Sequence, residues 1–149
     1  MGKIKNTIRK AVIGLAATIS TLGLIERVNA HFVYIPTDTW KSFYSEVSEV
    51  DPNDEVGVFV DSNDPNIGKI CVGTFVVQDA NNYGFLEAYG DDTTTTIKDG
   101  AKNGDELEFR IWDSIEDKEY FTKSNPCLVI YETDEYLQVD LQKWKRAST

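Results

Sequence analysis

The chain has one histidine and two cysteines in 149 residues. The single histidine, His31, stands near the start, so no Ser-His-Asp or Cys-His arrangement is indicated. A copper brace made from a terminal amine and an imidazole needs a second histidine, which the chain lacks. The cysteines do not form a C-x-x-C pair, which argues against a redox motif or a zinc ribbon. Basic residues are scarce: 15 Lys and Arg face 25 Asp and Glu, a net charge of −10. That acidic excess repels phosphate backbones and anionic lipid surfaces, and it argues against nucleic-acid binding. Outside the first thirty residues no segment shows a helical period of useful length.

The first thirty residues have the make-up of an export signal. Lys3, Lys5, Arg9 and Lys10 form a basic start, and residues 11 to 25, AVIGLAATISTLGLI, form the apolar core. Ala30, with Val28 two before it, resembles a signal-peptidase site. Fifteen residues fall short of the ~20 needed to span a bilayer, so cleavage is expected and retention as an anchor is the alternative. Cleavage after Ala30 leaves 119 residues, the size of one domain. It removes five basic residues and one acid, so the mature net charge is −14. No membrane insertion is expected after cleavage. Export also permits Cys71 and Cys127 to pair, closing a 57-residue loop worth ~4 kcal/mol in the chain-entropy model. Two buried free thiols are the equal alternative.

The rest reads as short strands between polar turns. The centre is Asn53 to Val77, with two strands apolar on both faces, Glu55–Val60 and Lys69–Val77, and one interior glycine in each, Gly57 and Gly73. His31–Ile35, Trp40–Val50, Tyr83–Tyr89, Thr93–Ile97, Glu119–Thr122 and Pro126–Glu132 are further expected strands. Leu107, Phe109 and Ile111 should face inward, with Glu108, Arg110 and Trp112 outward. Leu137, Val139 and Leu141 should form a last half-buried strand. The expected fold is all-β: a β-sandwich, Ig-like or jelly-roll-like, of about nine or ten strands. Residues 1–30 are the signal helix, 31–142 the sandwich and 143–149 a flexible tail. Trp112 is expected to cover Gly57 or Gly73, as aromatics often cover strand glycines.

Four ordered motifs carry a resemblance: NDEVGVF at residues 53–59, CVG at 71–73, GDD at 90–92 and FRIWD at 109–113. With the opening His31-Phe32, they resemble a secreted bacterial β-module of large surface and exported proteins, often found beside C-terminal sorting domains. The resemblance spans about residues 31 to 141. It implies an all-β, exported, non-catalytic unit and no particular ligand. The chain departs from the pattern in having Asn53 where the family's turn has glycine.

Three functional readings follow. Flat aromatics on a rigid sheet suit sugar rings, from Tyr83, Phe85 and Tyr89 or from Trp40, Tyr44 and Trp112; the same period-two stripe more often packs in the core. The loop Asp61, Asn63, Asp64 and the pair Asp91, Asp92 offer hard oxygen ligands for Ca2+, or are simply solvated acidic turns. The Asp61 loop does not have EF-hand spacing. Glycosidase chemistry would need two facing carboxylates, and Glu87, Asp91, Asp92 and Asp113 are available without any distinguishing pattern. The expectation is a secreted binding or adhesion module for extracellular or cell-surface polysaccharide. A structural envelope or matrix protein, acting through protein contacts or self-association, is the alternative, and a small hydrolase the third.

Overall fold

The computed structural model describes residues 30–79, 84–133 and 136–144. The expected signal, apart from Ala30, and Tyr83 lie outside the described residues. Those described hold nine strands and no helix. The strands are β1 (Trp40–Ser45), β2 (Val47–Ser48), β3 (Glu55–Asp61), β4 (Lys69–Val76), β5 (Gly84–Tyr89), β6 (Glu108–Asp113), β7 (Lys118–Asn125), β8 (Tyr136–Gln138) and β9 (Asp140–Lys143). They form two open sheets, one of three strands in the order β5-β1-β8 and one of six in the order β2-β9-β7-β6-β3-β4. The arrangement is consistent with a β-sandwich.

The two sheets share a corner. β1 runs parallel to β8, and β2 parallel to β9. The bonds from Val139 N to the Tyr44 carbonyl (3.2 Å) and from Leu141 N to the Glu46 carbonyl (3.0 Å) carry this ladder across the bend. One pair of chain segments thus leaves the first sheet and enters the second, as strands do at the corners of packed sheets. Val47 and Val139 are fully buried beside the bend.

Alternation sets the core. Val56, Val58 and Val60 of β3 meet Phe109 and Ile111 of β6, Phe43 of β1, and Leu86 and Ala88 of β5 in one buried cluster. Phe43 and Phe109 meet edge to face at 5.6 Å between centroids. The expected inward set Leu107, Phe109 and Ile111 is buried.

β3 is central, between β4 and β6, but β4 is an edge strand. Its apolar character has another cause, because β5 of the other sheet crosses directly over it. A Cβ on Gly73 would overlap the Glu87 carbonyl. A bulge beside Gly73 inserts Val72, fully buried, and returns Cys71 to the outer face opposite Phe59.

Several expectations are corrected. Cys71 and Cys127 are both free thiols. Cys71 lies on β4 and Cys127 just beyond β7, with β3 and β6 between, three strand spacings or ~14 Å apart. A disulfide tolerates no more than ~7 Å between Cα atoms. Thr93–Ile97 is a turn, because the Asp92 carboxylate accepts the Thr94 amide (2.8 Å) and hydroxyl (2.7 Å). His31–Ile35 and Pro126–Glu132 are irregular, apart from a bridge at Ile130. The last strand continues through Lys143, whose ammonium is buried between Asp113 (2.7 Å) and Asp54 (3.4 Å). Asp54 also accepts the Ser114 amide and hydroxyl (2.8 and 3.0 Å). This cluster ties β9 to the turn before β3 and to the end of β6; removing one member would strand buried charge.

Candidate functional site

Pairing of β1 with both neighbours builds one aromatic face. The register sets Trp40 opposite Tyr89 and Tyr44 opposite Phe85, with Ser42 between Glu87 and Tyr136. Residues opposite one another in a ladder share a face, and alternate residues along a strand share it too. The other face of β1 and β5 carries Phe43, Leu86 and Ala88, all in the core. The outer face of the three-stranded sheet therefore presents Trp40, Tyr44, Phe85 and Tyr136, which are 45%, 42%, 65% and 75% exposed. Tyr89 is half-buried, and its ring is stacked on Tyr34 at 5.4 Å. Its hydroxyl donates to Glu87 at 2.7 Å. Tyr44 and Phe85 meet at 6.2 Å with tilted rings.

Of the aromatics singled out in the sequence, Trp40, Tyr44, Phe85 and Tyr89 thus come together. Trp112 does not join them. It lies on the outer face of the other sheet, opposite Glu55 and Glu119. There the His31 imidazole stacks on it, with centroids 4.9 Å apart and planes within 5°. Its indole N–H donates to Asp117 at 3.2 Å. It covers neither glycine. Phe32 covers Gly57, where a Cβ would come within 2.7 Å of the Phe32 ring, and the β5 backbone covers Gly73. Tyr136 belongs to the first face and was missed. Its alternation with Gln138 was visible, but joining it to Tyr44 required the parallel β1–β8 pairing.

Four of the five expected calcium ligands, Asp61, Asp64, Asp91 and Asp92, are engaged by neighbouring groups. Asp61 pairs with Lys69 at 3.2 Å, and Asp64 accepts the Asn66 amide at 2.8 Å. Asp91 accepts the Asp99 amide at 2.9 Å and pairs with Lys102 at 3.3 Å. Partial burial works against the Asp91 charge, but these hydrogen bonds outweigh it and hold its carboxyl below the ordinary value. Among the described residues no three His, Cys, Asp or Glu converge as a metal site.

Residues of three of the four sequence motifs have structural tasks. Asp54 and Asp113 hold Lys143, Glu55 holds the backbone of residues 31 and 32, Gly57 makes room for Phe32, and Gly73 admits β5. Comparison with family models, with curated proteins and with solved structures gives no match for this chain. The resemblance to the secreted β-module therefore stands on those motifs alone.

Proposed function

We propose that the protein is an exported, non-catalytic β-sandwich module that binds extracellular or cell-surface polysaccharide on the outer face of its three-stranded sheet. The observation that carries this reading is the exposure of Trp40, Tyr44, Phe85 and Tyr136 on one face. Aromatic side chains prefer burial, and a cluster of them left open on a rigid sheet marks a contact surface. Glu87 and Gln138 lie among the rings in the same register and offer hydrogen bonds to sugar hydroxyls, with Ser42 buried between them. Apolar ring faces with interspersed polar groups match the two-sided chemistry of a pyranose. The buried carboxylates support the non-catalytic part: Glu55, Asp54 and Asp113 are each engaged by donors inside the fold.

The test is binding of the purified protein to a panel of soluble and insoluble polysaccharides, with calcium and with chelator, beside Tyr44→Ala, Phe85→Ala and Trp112→Ala. Saturable binding that is weakened by the first two and kept by a folded Trp112→Ala supports the reading. Absence of binding to every glycan overturns it. Concentration-dependent assembly that is lost in Phe85→Ala would instead assign the face to self-association. Loss of binding in chelator alone would make calcium part of the site.

A further inference from the structure

On the six-stranded sheet, a buried carboxylate grips the backbone at a single point of the chain. Glu55 of β3 is 1% exposed. Its oxygens accept the His31 amide at 2.7 Å, the Phe32 amide at 3.0 Å and the Thr74 hydroxyl at 2.6 Å. Residue 31 is held from two further directions. Its ring lies flat on Trp112, and its Nε2 faces Glu119 at 2.7 Å. Phe32 packs into the gap above Gly57 and meets Phe59 edge to face at 5.1 Å. This is a fitted receptor for residues 31 and 32, with a buried carboxyl at its base.

A peptide N–H is a neutral donor, whereas a buried carboxylate calls for a cation. Arg110, the nearby guanidinium on this face, is directed to Glu108 (2.6 Å) and Glu119 (3.6 Å). Burial pushes the Glu55 carboxyl above its ordinary value, and the three hydrogen bonds only partly offset that. The nitrogen that Glu55 meets at 2.7 Å is the atom that hydrolysis after Ala30 would free, and Ala30 is where the sequence places a signal-peptidase site.

We propose that the Ala30–His31 bond is cut in the finished protein, and that the α-ammonium of His31 then forms an ion pair with Glu55 that locks residues 31 and 32 onto the sheet. The cut consumes one water. Its hydroxyl joins the Ala30 carbonyl carbon as the C–N bond breaks, and its remaining proton goes to the His31 nitrogen. The new carboxyl then gives up its proton to the amine, leaving a carboxylate and an ammonium. An α-amine has an ordinary pKa of about 8, so it is charged at neutral pH. A charge-assisted N–H···O bond of this length is about twice as strong as its neutral counterpart.

The pH response follows from these groups. The charged or titratable neighbours of Glu55 on this face are the His31 imidazole, Arg110 and Glu108 of β6, Glu119 of β7 and the Cys71 thiol of β4. In the cut protein the paired amine is raised in the folded state. Its stabilisation is complete below about pH 8 and is lost as pH rises through the folded value.

The experiment has two arms. In the first, the full chain is exported from a bacterial host and the N-terminus of the product is sequenced. A first residue of His31 is expected, and any other start overturns the proposal. In the second, residues 27–30 of the full chain are replaced by the recognition sequence of a protease that cuts just before His31. Melting is followed before and after cutting. The cut should raise Tm by about 5 °C at pH 7, and the rise should fade above pH 9. A control protein with the recognition sequence moved to residues 26–29, so that the cut leaves Ala30 attached, should give no rise, and neither should Glu55→Gln. Should Glu55→Gln fail to fold, the two cuts of the otherwise native chain decide alone. An equal Tm for both cuts overturns the proposal.

Discussion

The outer faces of the two sheets carry the same kinds of side chain, largely open on one and partly covered on the other, where Phe121 is still 48% exposed. On the three-stranded sheet, Trp40, Tyr44, Phe85 and Tyr136 stand open to solvent. On the six-stranded sheet, Phe59 and Trp112 are roofed over by the chain itself: His31 stacks on Trp112, Phe32 meets Phe59, and the Arg110 guanidinium lies 4.4 Å from the Phe59 centroid. The difference does not lie in the strands, which alternate in the same way. It lies in a carboxylate, Glu55, and a missing side chain, Gly57, which together hold a flanking segment in place. An aromatic row on a sheet is thus a core or a contact surface according to what the neighbouring backbone can be anchored to.

The contrast can be broken outright at the junction of the sheets. Gly73→Ala drives a methyl into the Glu87 carbonyl of β5. We expect a loss of more than about 3 kcal/mol, at the upper end of overpacking costs. Urea denaturation would read it, and native-like stability would show that β5 does not press on β4. Next in size is Phe32→Ala, which strips the roof from Gly57 and Phe59. A loss of about 3 kcal/mol is expected, at the lower end for truncating a buried phenylalanine.

Phe85→Ala makes the same chemical change on the open face. Stability should move by no more than about 0.5 kcal/mol. If the face binds glycan as proposed, affinity should fall about tenfold, from the loss of about 1.5 kcal/mol of aromatic contact. Equal destabilisation by Phe32→Ala and Phe85→Ala would erase the distinction between the faces.

Thiol labelling sharpens it. Cys71 faces the roofed side opposite Phe59, and burial pushes its thiol up to about 12, whereas Cys127 is exposed. At pH 8 a thiol reagent should modify Cys127 at once and Cys71 slowly, and Phe32→Ala should speed the second reaction alone. Added reductant should leave Tm unchanged, since both thiols are free.

The smallest effect is on the pH profile. Burial opposes the Asp113 charge, but the Lys143 ammonium and the Ile115 and Glu116 amides outweigh it and hold the carboxyl below its ordinary value of 3.8. Its stabilisation is therefore present above that value and lost as pH falls through the folded one. In the uncut chain Glu55 has the opposite sign: raised from 4.5, its contribution is present below that value and is lost as pH rises. Melting of the uncut chain between pH 3 and 7 should show Glu55→Gln removing the fall on the neutral side, while Phe85→Ala leaves the profile unchanged.

Much of this was legible from alternation. The inward set on β6 follows from period two alone, as does the sharing of one face by Phe85, Glu87 and Tyr89 on β5, but not that this face is the outer one. Alternation could not show that the last strand changes sheet at Val139, because the pattern runs on unbroken through the bend. Nor could it show that Trp40 and Tyr44 share a face with Phe85, which depends on long-range pairing. Thr93–Ile97 misled because its β-branched residues favour a strand, while one carboxylate, Asp92, overrides them with a local turn. The pairing of Glu55 with the backbone of residues 31 and 32 was legible only as two separate motifs, HF and DE. Nothing in their spacing says that they meet.

The corner between the sheets bears on how the protein responds to force. The parallel pairs place the leading end of β1 and the trailing end of β9 at opposite ends of one ladder. Tension applied across the two ends of the domain would therefore load those hydrogen bonds together, in shear, rather than peel them one by one. A module anchored at one end and gripping a fibre would meet tension along that line. Stretching single molecules between residues 31 and 144 should give a high rupture force, and a low one would show that the ladder opens from an end.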